Sequence, residues 1–218
     1  MTTTYPQTSP PKATDGAAAG RAAPWLASFS VALLACALVS GVAQAADDFR
    51  WWSLFVVIPT ALITASGVAA LVRGGGLLGY AIANAGLVPF AIGVMLMFGE
   101  VGRFWPLTIV LPAAAIAGSY VWRPDNPLAR SFHRTLAMLA TAGVVLGFTF
   151  LALRFDLFTP GPRWWAWFMV AAGVIVVGNG AELLRHRMVY RVSAAALAAG
   201  PGIVTFLLGI RFLQGWAP

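Results

Sequence analysis

The chain has 218 residues, 60% of them hydrophobic and only 10% charged, against about 25% charged in an ordinary soluble domain. Fourteen basic and seven acidic side chains cannot cover the surface of a water-soluble fold of this length, so a soluble globular enzyme is excluded. The net charge of +7 does not make a nucleic-acid binder either, because the basic residues lie scattered between apolar runs and form no stripe. A single cysteine, Cys36, leaves no internal disulfide and no cysteine-rich metal site. Every basic residue except Lys12 is arginine, and with the abundance of alanine this points to a GC-rich bacterial genome.

Residues 1–23 are rich in Thr, Pro, Ser, Ala and Gly. Such a segment buries too little apolar surface to order itself, and it reads as a disordered cytoplasmic tail. Residues 24–218 read as a single transmembrane helical domain. A bilayer core about 30 Å thick takes about 20 apolar residues in a helix. That ruler finds seven spans: Pro24–Ala45, Trp51–Val72, Leu77–Phe98, Phe104–Trp122, Thr135–Leu153, Trp164–Leu184 and Val192–Phe212. Each is apolar all round, unlike the surface helix of a soluble fold, and none alternates as a barrel strand would. The expected fold is therefore an all-α integral membrane protein of about seven transmembrane helices. Short connections make sequential helices antiparallel.

The first segment has two readings. Arg21, an apolar stretch and Ala43-Gln44-Ala45 before Ala46-Asp47-Asp48 have the order of a secretory signal with its cleavage site. Cleavage would leave six spans. The polar leader is long for a signal, however, and the segment has a counterpart later in the chain, which favours retention. With the N-terminus cytoplasmic, Lys12, Arg21, Arg73, Arg123, Arg130, Arg134, Arg185, Arg187 and Arg191 fall inside. Arg50, Arg103, Arg154, Arg163 and Arg211 fall outside. The excess inside sets the orientation, and the expected location is a bacterial cytoplasmic (inner) membrane.

A pattern recurs along the chain. Arg50-Trp51-Trp52, Arg103-Phe104-Trp105 and Arg163-Trp164-Trp165 each open an even-numbered span on the outer side. Seven residues after the second aromatic come Pro59, Pro112 and Ala172, and the spans finish at Arg73, Arg123 and Arg185. The odd spans share Ala85-Gly86-Leu87-Val88 and Ala142-Gly143-Val144-Val145. The reading is three repeated hairpins, about 24–73, 77–123 and 135–185, followed by an extra C-terminal helix over 192–212. The Trp rings suit the headgroup region, and each Arg can lay its stem along the apolar boundary. These nine residues are the expected interface anchors; a lipid-headgroup or ligand site is the other use for them. Pro59 and Pro112 are expected to bend their helices.

The run Gly86-Leu87-Val88-Pro89 through Gly99-Glu100-Val101-Gly102-Arg103-Phe104-Trp105-Pro106-Leu107-Thr108-Ile109-Val110 resembles the membrane hairpin of the LiaF-like cell-envelope stress proteins. The likeness lies mainly within residues 86–123 and is closest at Trp105-Pro106-Leu107. Trp52-Ser53-Leu54 and Trp165-Ala166-Trp167 depart from that start. The resemblance implies a non-enzymatic role in sensing or modulating the state of the envelope. The β-rich soluble portion usual in that family has no counterpart in this sequence.

Ionisable groups at membrane depth are costly and persist for use. Glu182 stands one turn before Arg185 and His186, which makes an interfacial ion pair the plain expectation and a proton or cation site the sharper one. Asn84 and Asn179 are the amides well inside spans, suited to interhelical hydrogen bonds or to lining a substrate path. Gly178-Asn179-Gly180 is expected to loosen the sixth span, and Gly200-Pro201-Gly202 to break or kink the seventh near mid-depth. Gly143-x-x-x-Gly147 and Ala114-x-x-x-Gly118 offer close helix approach. Thr64-Ala65-Ser66-Gly67 resembles a rhomboid-protease serine motif without a membrane histidine to activate Ser66. His133 and His186 are interfacial and belong to no zinc motif, and Arg73-Gly74-Gly75-Gly76 lacks the Lys-Ser/Thr of a phosphate loop. The only lysine, Lys12, lies in the tail, where no retinal Schiff base can form. No catalytic, cofactor-binding or metal residue is expected.

The favoured expectation is a non-enzymatic, envelope-associated sensor, modulator or partner subunit acting through helix–helix contacts. Its partners would be the lipid bilayer and another membrane protein or a second copy, with no nucleic acid. The alternative is a small transporter or lipid-handling protein using the outer Trp clusters and the two amides. An intramembrane enzyme ranks last.

Overall fold

The computed structural model describes residues 15–45, 49–185 and 189–216, and every regular element among them is helical. The elements are α1 (Asp15–Ala45), α2 (Leu54–Val72), α3 (Gly76–Met97), α4 (Val101–Phe104), α5 (Leu107–Gly118), α6 (Pro127–Arg154), α7 (Ala166–Glu182) and α8 (Arg191–Leu213). Short 3-10 turns precede α2 at Trp51–Ser53, extend α5 through Ser119–Val121 and extend α7 through Leu183–Arg185. Six segments are long and apolar enough to cross a membrane: Pro24–Ala45, Trp51–Val72, Gly76–Met97, Pro127–Arg154, Ala166–Arg185 and Arg191–Leu213. The chain is thus an all-helical protein with the make-up of a multi-pass membrane protein. Lys12, Ala46-Asp47-Asp48, His186 and Arg187 lie outside the described residues.

The fourth expected span, Phe104–Trp122, is not one long helix. The chain makes the single turn α4, breaks at Trp105-Pro106 and restarts as the apolar stretch Leu107–Val121. Pro106 carries no N–H to continue the ladder of α4, but it is well placed just before a new helix. The fifth segment is longer than expected. Asn126 caps α6, its side chain accepting from the backbone N–H groups of Leu128 and Ala129 at 2.9 and 3.4 Å. Two extra turns carrying Arg130, His133 and Arg134 follow before the apolar run starts. The helix α1 begins at Asp15, inside the stretch read as a tail.

Proline and glycine do not interrupt the later helices. α8 continues through Gly200-Pro201-Gly202, and α7 through Gly178-Asn179-Gly180. The reason is tertiary: Gly202 packs against Val176 and the Gly173 carbonyl, and Gly180 against Ala199. Likewise α2 and α5 run on through Pro59 and Pro112 as helix.

Packing is closest within α2/α3 and α7/α8, then within α5/α6. Gly79, Gly86 and Gly93 are spaced by seven residues on α3 and face α2. A Cβ on Gly86 would stand 2.6 Å from the Thr60 carbonyl, and one on Gly93 would stand 2.9 Å from Val57. Gly202 and Gly209 of α8 meet Val176 and Val170 of α7 in the same way. In the third pair, Gly147 and Gly143 of α6 meet Val110 and Ala113 of α5. Such close approach supplies attraction through van der Waals contact. Looser contacts join α1 to α2, α3 to α5 and α6 to α7. The tight pairs are therefore out of phase with the hairpins 24–73, 77–123 and 135–185 expected from sequence. Those expected units pair helices that touch less closely than these.

Candidate functional site

The three Arg-aromatic openings occupy equivalent corners. Each arginine lies beside the far end of the helix with which its own helix pairs. The Arg50 guanidinium packs on Gly99 after α3, Nη2 standing 2.9 Å from where a Cβ would project. The Arg163 guanidinium packs on Gly215 after α8, with Nη1 at 3.0 Å. The Arg103 guanidinium lies over the Phe155 ring, 5.1 Å from its centroid, at the end of α6. All three helix ends close alike. Gly99, Asp156 and Gly215 adopt φ of 70°, 53° and 98°, and each donates to the carbonyl three residues back. The next residue donates to the carbonyl five back: Glu100 to Met95 at 2.9 Å, Leu157 to Ala152 at 3.0 Å and Trp216 to Arg211 at 3.1 Å. This is the Schellman closure. A cation set against such a C-terminus is favoured by the helix dipole by about 0.3–1 kcal/mol.

The residues after each arginine also match. Trp52, Trp105 and Trp165 are 43%, 40% and 41% exposed, half in and half out, whereas Ser53, Pro106 and Ala166 behind them are fully buried. Val57, Val110 and Val170, seven residues after each arginine, meet Gly93, Gly147 and Gly209. Trp51 is largely exposed beside Phe55. Other rings meet tilted or edge to face: Phe104 with Phe155, Trp105 with Phe150, Phe150 with Trp164, and Trp165 with Phe212, at centroid separations of 4.9–5.8 Å. Such geometry suits a bilayer boundary, where an apolar face and a polar N–H are both accommodated.

The opposite end holds the main polar cluster. Asn179 is buried on α7. Its Oδ1 accepts from Arg134 Nε at 2.6 Å, and its Nδ2 donates to the Ile175 carbonyl at 2.9 Å and to the Met138 sulfur at 3.4 Å. Arg134 also forms an ion pair with Glu182, and Ser131 Oγ donates to the Asn179 carbonyl. Among the described residues the ion-pair partner of Glu182 is thus Arg134 on α6 in place of Arg185, and the expectation for His186 lies outside the described residues. Helix α7 ends in a 3-10 turn at Leu183–Arg185, and that tightening departs from the α-helical spacing on which the expectation relied. Asn84 behaves differently: its Nδ2 bonds the Tyr80 carbonyl of its own helix at 2.9 Å.

Arg134 and Tyr80 were not singled out from the sequence. The Tyr80 hydroxyl donates to the Ala115 carbonyl at 2.8 Å, with its ring end in the space left by Gly118. A lone tyrosine facing a glycine on the neighbouring span is the signal that marks it. Ser119 Oγ lies 2.9 Å from His133 Nε2, but the hydroxyl also bonds the Ile116 carbonyl at 2.7 Å. With its proton given to that carbonyl, Ser119 accepts from the histidine, the reverse of an activated nucleophile. Ser66 bonds the Leu62 carbonyl of its own helix. Among the described residues no three His, Cys, Asp or Glu side chains gather as metal ligands.

Two apolar grooves lie on the surface of the described residues. One, of 360 Å³, lies between α1 and α3 over α2. The other, of 530 Å³, lies between α6 and α8 over α7. No family model, curated protein or solved structure matches the chain.

Proposed function

We propose that the chain is a non-enzymatic, multi-pass protein of a bacterial inner membrane, working as an envelope-associated sensor, modulator or partner subunit through helix–helix contacts. The N-terminus is cytoplasmic, seven segments cross, and Leu107–Val121 is a short fourth span. Three copies of one hairpin, framed 50–99, 103–156 and 163–215, follow α1. The shared arginine corners, buried third residues and valine–glycine contacts support this frame, which leaves α1 as the helix without a hairpin partner. The role in envelope stress follows from the resemblance of residues 86–123.

The observation that carries the reading is where the polar groups of the long helices spend their bonds. Thr60, Thr64, Ser66, Asn84, Thr141, Thr149 and Thr205 all bond carbonyls of their own helices. Asn179 is consumed by Arg134 and by its own helix. A transporter needs such groups turned toward a polar cavity at mid-depth. Meanwhile α1 leaves Leu34 and Leu38 about two-thirds exposed, at 68% and 69%.

The test places a photo-crosslinking residue at Leu34 or Leu38 in native membranes, with Asn84→Leu/Asn179→Leu protein assayed for flux in proteoliposomes. The reading expects one defined protein adduct and no flux for either protein. Lipid adducts alone, together with a flux that the double substitution abolishes, would replace it with the transporter reading.

A further inference from the structure

The groove between α1 and α3 has the form of a slot for one hydrocarbon chain. Its walls are Ala27 and Ala35 on one side and Leu87 and Phe90 on the other, with Ala61 and Ala65 as its floor. Alanine side chains are too short to fill it, and the Thr64 hydroxyl on its floor is spent on the Thr60 carbonyl at 2.8 Å. An apolar void inside a bilayer leaves its lining without dispersion partners, so an apolar occupant is favoured. From Ala27 to Ala35 the slot runs about 12 Å along the helix axis, lined by small side chains of α1 and α2 and open along its length, a shape that an extended acyl chain fills.

The chemistry at one end identifies the lipid. The Arg73 guanidinium lies 5.2 Å over the Trp25 ring, where α1 and α2 meet one turn beyond the slot. Arg73 has no carboxylate partner among the described residues. A cation resting on an interfacial tryptophan is the group that meets a lipid phosphate. We infer that this slot holds one acyl chain of an anionic phospholipid from the leaflet on the Arg73 side, with its phosphate on Arg73. The inference rests on the bilayer-spanning reading and is independent of the partner reading.

The test uses full-length protein in phosphatidylcholine vesicles containing a minor share of phosphatidylglycerol bearing a mid-chain diazirine. Flotation with the vesicles is checked first. After illumination, labelled residues are mapped by mass spectrometry. Label should concentrate on residues 27–35 and 61–68, and about fivefold less should appear there when the probe is the phosphatidylcholine analogue, the factor one interfacial cation supplies. Arg73→Gln should abolish that headgroup preference, and Ala35→Phe should remove the label from the slot while leaving it elsewhere. If Ala35→Phe does not fold, Ala27→Leu on the exposed rim replaces it. Label spread evenly over Leu33, Leu38 and Leu207, with no headgroup preference and no response to either substitution, would overturn the site. Protein that does not float would overturn both the site and the bilayer reading.

Discussion

The two ends of the bundle are built on different principles. At the corners that carry Arg50, Arg103 and Arg163, each arginine lies beside a Schellman end of its own helix pair, Arg50 and Arg163 on a glycine and Arg103 over the Phe155 ring. At the other end the ties run between pairs: Arg134 with Asn179 and Glu182 joins α6 to α7, and the Tyr80 hydroxyl joins α3 to α5. The corners close each pair upon itself, and the cluster joins two pairs that otherwise touch lightly.

The strongest way to break the comparison is to strike the seam inside a pair. Gly86→Leu would drive a side chain into the Thr60 carbonyl and Thr64. It should cost about 3 kcal/mol, the upper part of the overpacking range, or prevent assembly. Thermal unfolding in detergent measures it. A loss as small as that of a surface substitution would mean the α2/α3 seam is not as close as described.

Next in size is the cluster. Arg134→Leu or Glu182→Leu alone should each cost about 1–2 kcal/mol, discounted because both side chains remain about a third exposed (31% and 35%). The double substitution should cost less than the sum. Strict additivity would show that the pair does not join the helices.

The corners provide a sharper test, because they predict opposite signs. Gly215→Ala places a Cβ at a φ of 98° and against Arg163, and should lose about 1 kcal/mol. Asp156→Gly relieves the same left-handed backbone and should gain about 0.5–1 kcal/mol. The smallest effects contrast the two amides. Asn179→Leu should cost about 1 kcal/mol and Asn84→Leu less than about 0.5 kcal/mol, since only the former bonds across helices. Equal losses would deny Asn179 its joining role.

These contrasts also explain what could be read from the sequence. The long apolar runs are legible because hydrophobicity is a local property, and their bounds agree closely with α2, α3 and α8. Arg50, Arg103 and Arg163 were legible as recurring groups because each neighbours its own aromatics. Which helices pack most closely was not, since that depends on which faces touch. The glycines 86, 93 and 209 acquire meaning only against Thr60, Val57 and Val170 on the paired helix. Arg134 lies 45 residues from Asn179, and nothing local to either residue announces the other. Pro106 shortened the fourth span for a local reason, the missing N–H, that overall hydropathy conceals.

The most direct measurement is sidedness. With Cys36→Ala as background, single cysteines replacing Arg123 and Arg163 are exposed in turn to a membrane-impermeant thiol reagent in intact cells and in inverted vesicles. The account predicts that position 163 reacts in cells and position 123 only in inverted vesicles. Reaction of both from the same side would contradict it.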